Sequence, residues 1–187
     1  MAAADNSFTG LVDAHYAALY RFAYSLSRSE TDAGDLTQQT FYIWATKGHT
    51  MHDFAKAKSW LFTTLHREFL RLRRRDDRWT SIEDLPGAQT EIPAEEIDQL
   101  RRMDGATVMN ALTSVDEVFR APLTLFYLEN FSYLQIAETL GVPPGTVMSR
   151  ISRGKAQLRA LLANAEKETK SNVVPFDQSE TRRKQQP

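Results

Sequence analysis

The stretch that most constrains this chain runs from residue 131 to 162 and has LGVPPGTVMSR near its centre. Ile136 and Leu140 are spaced to share one face of a short helix. Gly141 can take the left-handed conformation that ends such a helix, and Pro144 suits the first turn of another. Two helices joined in this way form a helix-turn-helix, whose second helix enters the major groove of DNA.

The second helix of this motif is predicted to have a buried side and a side that reads bases. Val147, Ile151 and Leu158 fall together on the helical wheel as the buried seam, and Gly154 permits close approach. A base-reading side needs short polar residues and a long cation, because the backbone must come near the base edges. That side carries Gly145, Met148, Ser149, Ser152, Arg153 and Ala156. Arg150 lies nearer the buried flank, where it suits a phosphate or a structural partner.

A plain helical hairpin inside a protein core is the alternative interpretation of this stretch. The outward side of the second helix is expected to carry the cations Arg153, Lys155 and Arg159. A basic face of this kind favours a DNA-binding helix over a core hairpin.

Residues 8–75 are predicted to form a first helical domain. Apolar residues recur at helical spacing from Leu11 to Leu26, and the S-x-x-D signature of Ser29 and Asp32 starts a second helix. That second helix runs to about residue 47 and offers a polar and aromatic surface, which ordinary solvation also explains. The residues of this surface are Asp35, Gln38, Gln39 and Tyr42.

A third helix, from Ala55 to about Arg75, is predicted to have two contrasting sides. Its core side carries Leu61, Phe62, Leu65, Phe69 and Leu72, and its outward side carries Lys56, Trp60, Thr63, Thr64, Arg67, Arg71 and Arg74. An outward tryptophan among cations suits unpaired nucleic acid, because rings stack on bases and cations hold phosphates. The alternative is that Trp60 packs against a neighbouring helix. The arginine cluster at 71–75 favours nucleic acid.

The segments between and after the helical blocks are predicted to be linkers. Residues 48–53 form a break, and its H-x-x-H pair, His49 and His52, lacks the acidic or cysteine companions of a metal site. Residues 76–104 form a flexible acidic linker, with eight acids against one arginine in 76–98. The polar residues 163–187 are expected to be an unstructured tail.

Residues 105–162 are predicted to form a second helical domain around the helix-turn-helix. Short helices are expected from Val108 to Leu112 and from Asp116 to Leu128, with Pro122 kinking the latter or resetting its start. Ser132 is a suitable N-cap for the helix that follows. The predicted fold class is all-α, with two small helical domains joined by the flexible acidic linker.

Composition excludes several classes of function. The chain has no cysteine, so we expect neither disulfides nor thiolate metal sites, which fits a reducing cytoplasm. No apolar run reaches membrane-spanning length. The sequence carries no evident catalytic triad, paired acid–base carboxylates or phosphate-binding glycine loop. We therefore expect a protein that is not an enzyme and needs no metal or cofactor.

These blocks, in this order and at this separation, resemble the extracytoplasmic function (ECF) sigma factors of bacterial RNA polymerase. The run from residue 133 to 153 is similar to sigma domain 4. DAGDLTQQTFYIWA (residues 32–45) is similar to the family's core-binding region, and KAKSWLFTTLHREFLRLRRR (56–75) to its promoter-melting helix. The resemblance covers about residues 10–75 and 105–162. It implies a sigma factor that binds core polymerase and directs promoter recognition and transcription initiation.

The resemblance also implies a role for each segment. Residues 8–75 correspond to sigma domain 2, 76–104 to the linker that threads near the polymerase active site, and 105–162 to sigma domain 4. Core-polymerase binding falls on Asp35, Gln38, Gln39 and Phe41. Recognition and melting of the −10 element falls on Trp60, Arg67, Arg71 and Arg74, beside a loop at 48–54 that captures a flipped base. Recognition of the −35 element falls on Met148, Ser149, Ser152 and Arg153.

The implied partners are core RNA polymerase, promoter DNA and an anti-sigma factor or other regulator, in the cytoplasm and without membrane insertion. One rival is a stand-alone helix-turn-helix repressor or activator, which should dimerise and read two half-sites one helical turn apart. Another rival is an interaction protein that sequesters a sigma factor or other regulator and binds no DNA. Neither rival needs the outward face with Trp60 and the arginines.

Overall fold

The computed structural model of the chain describes residues 2–47, 54–75 and 105–171. These residues form seven α-helices and a short 3-10 helix, Phe54–Lys56, and the described part contains no strand. The predicted all-α class is therefore confirmed. The helices are α1 Ala2–Ser27, α2 Glu30–Lys47, α3 Ala57–Arg75, α4 Gly105–Ser114, α5 Glu117–Tyr127, α6 Tyr133–Leu140 and α7 Pro144–Ser171.

Several predictions fall on residues outside the described ranges. These are the break at 48–53 with its two histidines, the acidic linker at 76–104 and the tail from residue 172 onward. The tail prediction also covered residues 163–171, and there it is wrong, because α7 continues to Ser171 instead of ending at Leu162.

Helices α1, α2 and α3 form a first unit in which each helix packs against the other two. The apolar residues placed inside by their helical spacing are buried, including Leu19, Phe22, Leu36, Leu61, Phe62, Leu65 and Phe69. The predicted cap of α2 is present, since the Asp32 N–H donates to Ser29 Oγ over 3.3 Å. Leu72 was predicted in this core but is 38% exposed, near the end of α3.

Helices α4 to α7 form a second unit, in which α7 packs against α4, α5 and α6. Its core includes Leu112, Leu123, Leu125, Ile136, Val147, Ile151 and Leu158. Pro122 does not reset the start of α5, because that helix begins at Glu117, five residues earlier. The proline ring is itself buried, so it contributes apolar surface to the core.

The turn between α6 and α7 has the geometry that the sequence predicts. Ser132 caps α6 in a capping box, in which Ser132 Oγ accepts from Gln135 N–H over 3.3 Å and Gln135 Oε1 accepts from Ser132 N–H over 2.9 Å. Gly141 ends α6 in the left-handed region with φ of 68°, and Pro144 is the first residue of α7. This local chemistry fixes how the two helices of the motif follow one another.

We expect Gly141→Ala to lower the free energy of unfolding by about 1 kcal/mol, because an L side chain is strained at this backbone conformation. A Cβ at Gly141 meets nothing within 4 Å, so backbone strain is the only expected cause of the lost stability. Gly145→Ala is the matched control. A Cβ at Gly145 also meets nothing within 4 Å, but φ of Gly145 is not positive. Urea titration followed by circular dichroism measures both, and equal losses in the two variants would contradict the strain assignment.

The two units pack against each other, which the sequence did not anticipate. Helix α1 contacts α4 and α5, and α3 contacts α6. The buried apolar side chains of both units form one connected core. The chain is therefore in a closed arrangement, with the helix-turn-helix placed against the first unit.

None of the helices in the described ranges is both long enough and apolar enough to cross a membrane.

Candidate nucleic-acid interface

Helix α7 presents the seam that its spacing predicts. Val147, Ile151 and Leu158 are buried, with at most 1% of each residue exposed. These residues attach α7 to the core of the second unit and so determine which side of the helix faces away from it. Met148, Ser152 and Arg153 are partly exposed on that outward side, as predicted.

Two residues predicted on the outward side of α7 are buried instead. Ser149 is only 9% exposed, and its hydroxyl donates to the Thr146 carbonyl over 3.0 Å. Lys155 is 7% exposed, although its charge had placed it with the outward cations. Periodicity locates the core side of a helix, but packing by other elements decides what the remaining sides contact.

Helix α3 presents three exposed arginines along the side predicted to contact DNA, namely Arg67, Arg71 and Arg74. Arg71 Nη2 lies 2.6 Å from Glu68 Oε2 within the same helix, and 61% of the Arg71 side chain remains exposed. The Glu68 side chain is only 17% exposed, but the arginine faces solvent, so a phosphate can reach it. Arg73 turns towards the second unit and donates to both carboxylate oxygens of Glu117 over 2.7 Å.

Trp60 packs against a neighbouring helix, which was the alternative interpretation. Its ring lies edge-to-face on Trp44 of α2, with centroids 5.2 Å apart and planes at 75°. Trp44 is buried, whereas Trp60 is only partly so. Part of the indole is therefore fixed in the first unit, and the remaining part is open at the surface beside Thr63 and Thr64.

The polar surface of α2 forms an open depression of about 380 Å³. It is lined by Asp35, Gln38, Gln39 and Tyr42, and Tyr42 is 63% exposed. Phe41, which was predicted among the polymerase-contacting residues, is 6% exposed and does not line this depression. Its ring packs on Phe8 and Tyr16 of α1, with centroids 6.5 Å and 6.3 Å away.

Tyr42 was predicted on the polar surface of α2 but was not included in the predicted polymerase-binding set, although its position offered a signal. It follows Asp35 by seven residues and Gln38 by four, so the three side chains share one helical face. The neighbouring Phe41 lies about 100° round the helix from Tyr42, on the side that faces α1.

The contact between the units brings His66 of α3 near Arg150 of α7. Burial, together with the charges of Arg150 and Arg67, lowers the pKa of His66 to about 4. His66 is therefore neutral at pH 7. Arg150 had been predicted to suit a phosphate or a structural partner, and it lies close enough to His66 of the first unit for its charge to act there.

Within the residues described, no group of three or more His, Cys, Asp or Glu side chains is arranged to hold a metal ion. The two histidines of the H-x-x-H pair lie outside those residues.

Comparison with known proteins agrees with this division into two helical units. The family model of Sigma-70 region 2 matches residues 11–79, and that of Sigma-70 region 4 matches residues 106–158. The chain is 40% identical over 172 residues to the ECF RNA polymerase sigma factor SigE of Mycolicibacterium smegmatis, with 89% of this chain and 66% of SigE covered. It is 30% identical over 156 residues to the ECF RNA polymerase sigma factor SigL of Mycobacterium tuberculosis, with 81% and 86% covered.

The chain belongs to the ECF RNA polymerase sigma factors. The family resemblance found in the motifs is therefore confirmed, and promoter recognition in transcription initiation is the function of this family. Among solved structures, the sigma factor RpoE of Bartonella quintana, crystallised with the anti-sigma factor NepR, is similar to this ECF sigma factor with a TM-score of 0.62. The two are 28% identical, with 84% of this chain and 97% of RpoE covered.

Proposed function

We propose that this ECF sigma factor binds core RNA polymerase and divides promoter recognition between its two units. The first unit engages polymerase and the −10 element, and the second unit engages the −35 element. The observation that carries the proposal is the pairing, in one chain, of a capped helix-turn-helix with a helix that presents three exposed arginines. Neither a stand-alone regulator nor a sequestering protein needs a helix with three exposed arginines beside its helix-turn-helix.

Polymerase contact is assigned to the depression on α2. Asp35 supplies a charge, Gln38 and Gln39 supply donors and acceptors, and Tyr42 supplies an exposed ring. Such a mixture of an aromatic anchor with polar neighbours is typical of protein interfaces. Tyr42 takes the place first given to Phe41, whose ring supports α2 from the α1 side.

Promoter melting is assigned to α3. Extruding a base costs a few kcal/mol of lost stacking, which contacts on the protein must offset. The open part of the Trp60 ring can support a base, while Arg67, Arg71 and Arg74 hold the backbone of the melted strand. Because Trp44 fixes the Trp60 ring, little side-chain entropy is lost when a base stacks on it.

Recognition of the −35 element is assigned to the outward side of α7. Arg153 is the long cation that can donate two hydrogen bonds to a guanine, and Met148 and Ser152 lie on the same side. Ser149, first placed in this set, is buried, and its hydroxyl donates to the Thr146 carbonyl of the same helix.

The chain acts by binding energy and not by bond chemistry, so the polymerase provides the catalytic steps. The cytoplasm, where bacterial polymerase transcribes DNA, is then its place of action. The RpoE structure contains an anti-sigma factor, and we assign a regulator of the same class to this chain.

We expect Trp60→Ala to reduce run-off transcription on duplex promoters roughly tenfold, because base–aromatic stacking contributes about 1–3 kcal/mol per base. The measurement uses core polymerase, purified sigma factor and promoters enriched from fragmented genomic DNA. Trp60→Phe retains a ring and should lose less. On a template melted beforehand at the −10 element, the defect of Trp60→Ala should shrink. An equal defect on both templates would remove Trp60 from melting, and no initiation by the wild-type chain would defeat the proposed function.

A further inference from the structure

Glu129 is a charged residue buried at the contact between the two units. It follows α5, and only 5% of the residue is exposed. Its Oε1 accepts a hydrogen bond from Arg21 Nη2 of α1 over 3.1 Å, and its Oε2 lies 3.4 Å from Lys58 Nζ of α3. Lys58 Nζ also donates to the Glu129 backbone carbonyl over 2.8 Å. Both cations that bind this carboxylate therefore belong to the other unit.

Phe131 reinforces the same contact two residues later. Its ring centroid lies 5.2 Å from that of Phe62, which belongs to the core of α3, and Lys58 Nζ lies 5.1 Å from the Phe131 centroid. Asn130 between them has φ of 58°, a conformation that asparagine tolerates better than most residues. This sharp turn directs both Glu129 and Phe131 towards the first unit.

The chemistry of this contact makes it reversible. A buried carboxylate is costly unless it is paired, and here the pairing exists only while the units touch. When they separate, Glu129 returns to water, and so do Arg21 and Lys58, whose side chains are already 45% and 38% exposed. Such an arrangement favours the closed state by a modest margin, which a binding partner can overcome.

The closed arrangement is too small to read a promoter. Elements named −35 and −10 lie about 25 base pairs, or about 85 Å, apart along B-DNA. A compact body of the size of the described chain has a radius of gyration of only about 14 Å. Residues 76–104 can span about 95 Å when extended, so the chain permits the separation that the contact opposes.

We propose that Glu129 and Phe131, with Arg21, Lys58 and Phe62, form a latch that holds the free sigma factor closed and lowers its affinity for polymerase and promoter. The inhibitory part of this inference rests on the proposed function. The latch is intrinsic to the chain and needs no regulator. Polymerase binds the open form. The apparent affinity is therefore the affinity of the open form multiplied by the fraction of chains that are open.

The latch is tested first by distance measurement on the free chain. Because the sequence has no cysteine, Ala14→Cys and Ala160→Cys place two nitroxide labels uniquely at exposed positions, one in each unit. Double electron–electron resonance should give one short, narrow distance distribution for the otherwise wild-type chain. Glu129→Lys should give a longer and broader one, because three cations then repel each other. Lys58→Glu in the same chain should restore much of the short population.

Glu138→Lys is the matched control, since it makes the same charge change at an exposed position of the second unit. It should leave the distance distribution unchanged. Circular dichroism checks that every variant retains its helices. An unchanged distribution for Glu129→Lys would overturn the latch, as would equal lengthening by Glu138→Lys.

Affinity for core polymerase tests the inhibitory part. Glu129→Lys should bind about tenfold more tightly, and adding Lys58→Glu should return the affinity towards the wild-type value. A longer distance without tighter binding would show a contact that does not inhibit, and would overturn the proposal. If the wild-type chain binds no polymerase, the proposed function fails, while the distance measurement still decides whether the contact closes the chain.

Discussion

Gly154→Val should disrupt the second unit, with an expected loss of about 3 kcal/mol or more in the free energy of unfolding. A Cβ at Gly154 would lie 2.7 Å from Phe119 Cβ and 2.8 Å from Leu123 Cδ1. Phe119 Cβ is attached directly to the α5 backbone, so no change of rotamer moves it away. Helices α5 and α7 would have to separate, which opens the core around Leu123.

Gly154→Ala should show a smaller loss of about 1–2 kcal/mol. Alanine brings the same Cβ clash, but its higher helix propensity returns about 1 kcal/mol. Gly34→Ala in α2 is the matched control, because a Cβ there meets nothing within 4 Å, and it should stabilise by about 0.5–1 kcal/mol. Urea titration measures all three variants. A stabilising effect of Gly154→Ala equal to that of Gly34→Ala would mean that α5 and α7 do not approach this closely.

The sequence predicts the helix-turn-helix well because the interactions that form it join residues close together in the chain. A capping box depends on residues three apart, and Ser132 and Gln135 supply both of its hydrogen bonds. The left-handed end of α6 needs a residue without Cβ strain, which is Gly141. Gly154 was expected to permit close approach, and the distances to α5 agree.

The exposed faces are predicted less well, because long-range packing decides them. Phe41 and Tyr42 are adjacent and both aromatic, yet α1 covers the Phe41 ring and leaves the Tyr42 ring exposed. Trp60 was placed outward by its wheel position and Lys155 by its charge, but neighbouring elements bury part of Trp60 and most of Lys155. The pairing of Arg21 with Glu129 joins residues 108 positions apart, a relation that no periodic pattern contains.

Arg153→Ala should reduce transcription from promoters with an intact −35 element by roughly 5- to 150-fold, because a bidentate base contact contributes about 1–3 kcal/mol. On promoters whose −35 element has been randomised, the same variant should change little. Arg159 provides a contrast, since it is exposed six residues later on α7. Arg159→Ala should weaken all promoters by a similar factor and reduce the slope of log affinity against log salt by about 1, as loss of a phosphate contact does.

Arg153→Lys separates geometry from charge at the same position. Lysine keeps the positive charge but lacks the planar fork that donates two parallel hydrogen bonds. If Arg153 reads a base, the lysine variant should retain binding to DNA in general and lose most of the preference for the intact −35 element. If lysine restores that preference fully, the contact is one of charge alone. Base recognition then has to come from the other side chains on the outward side of α7.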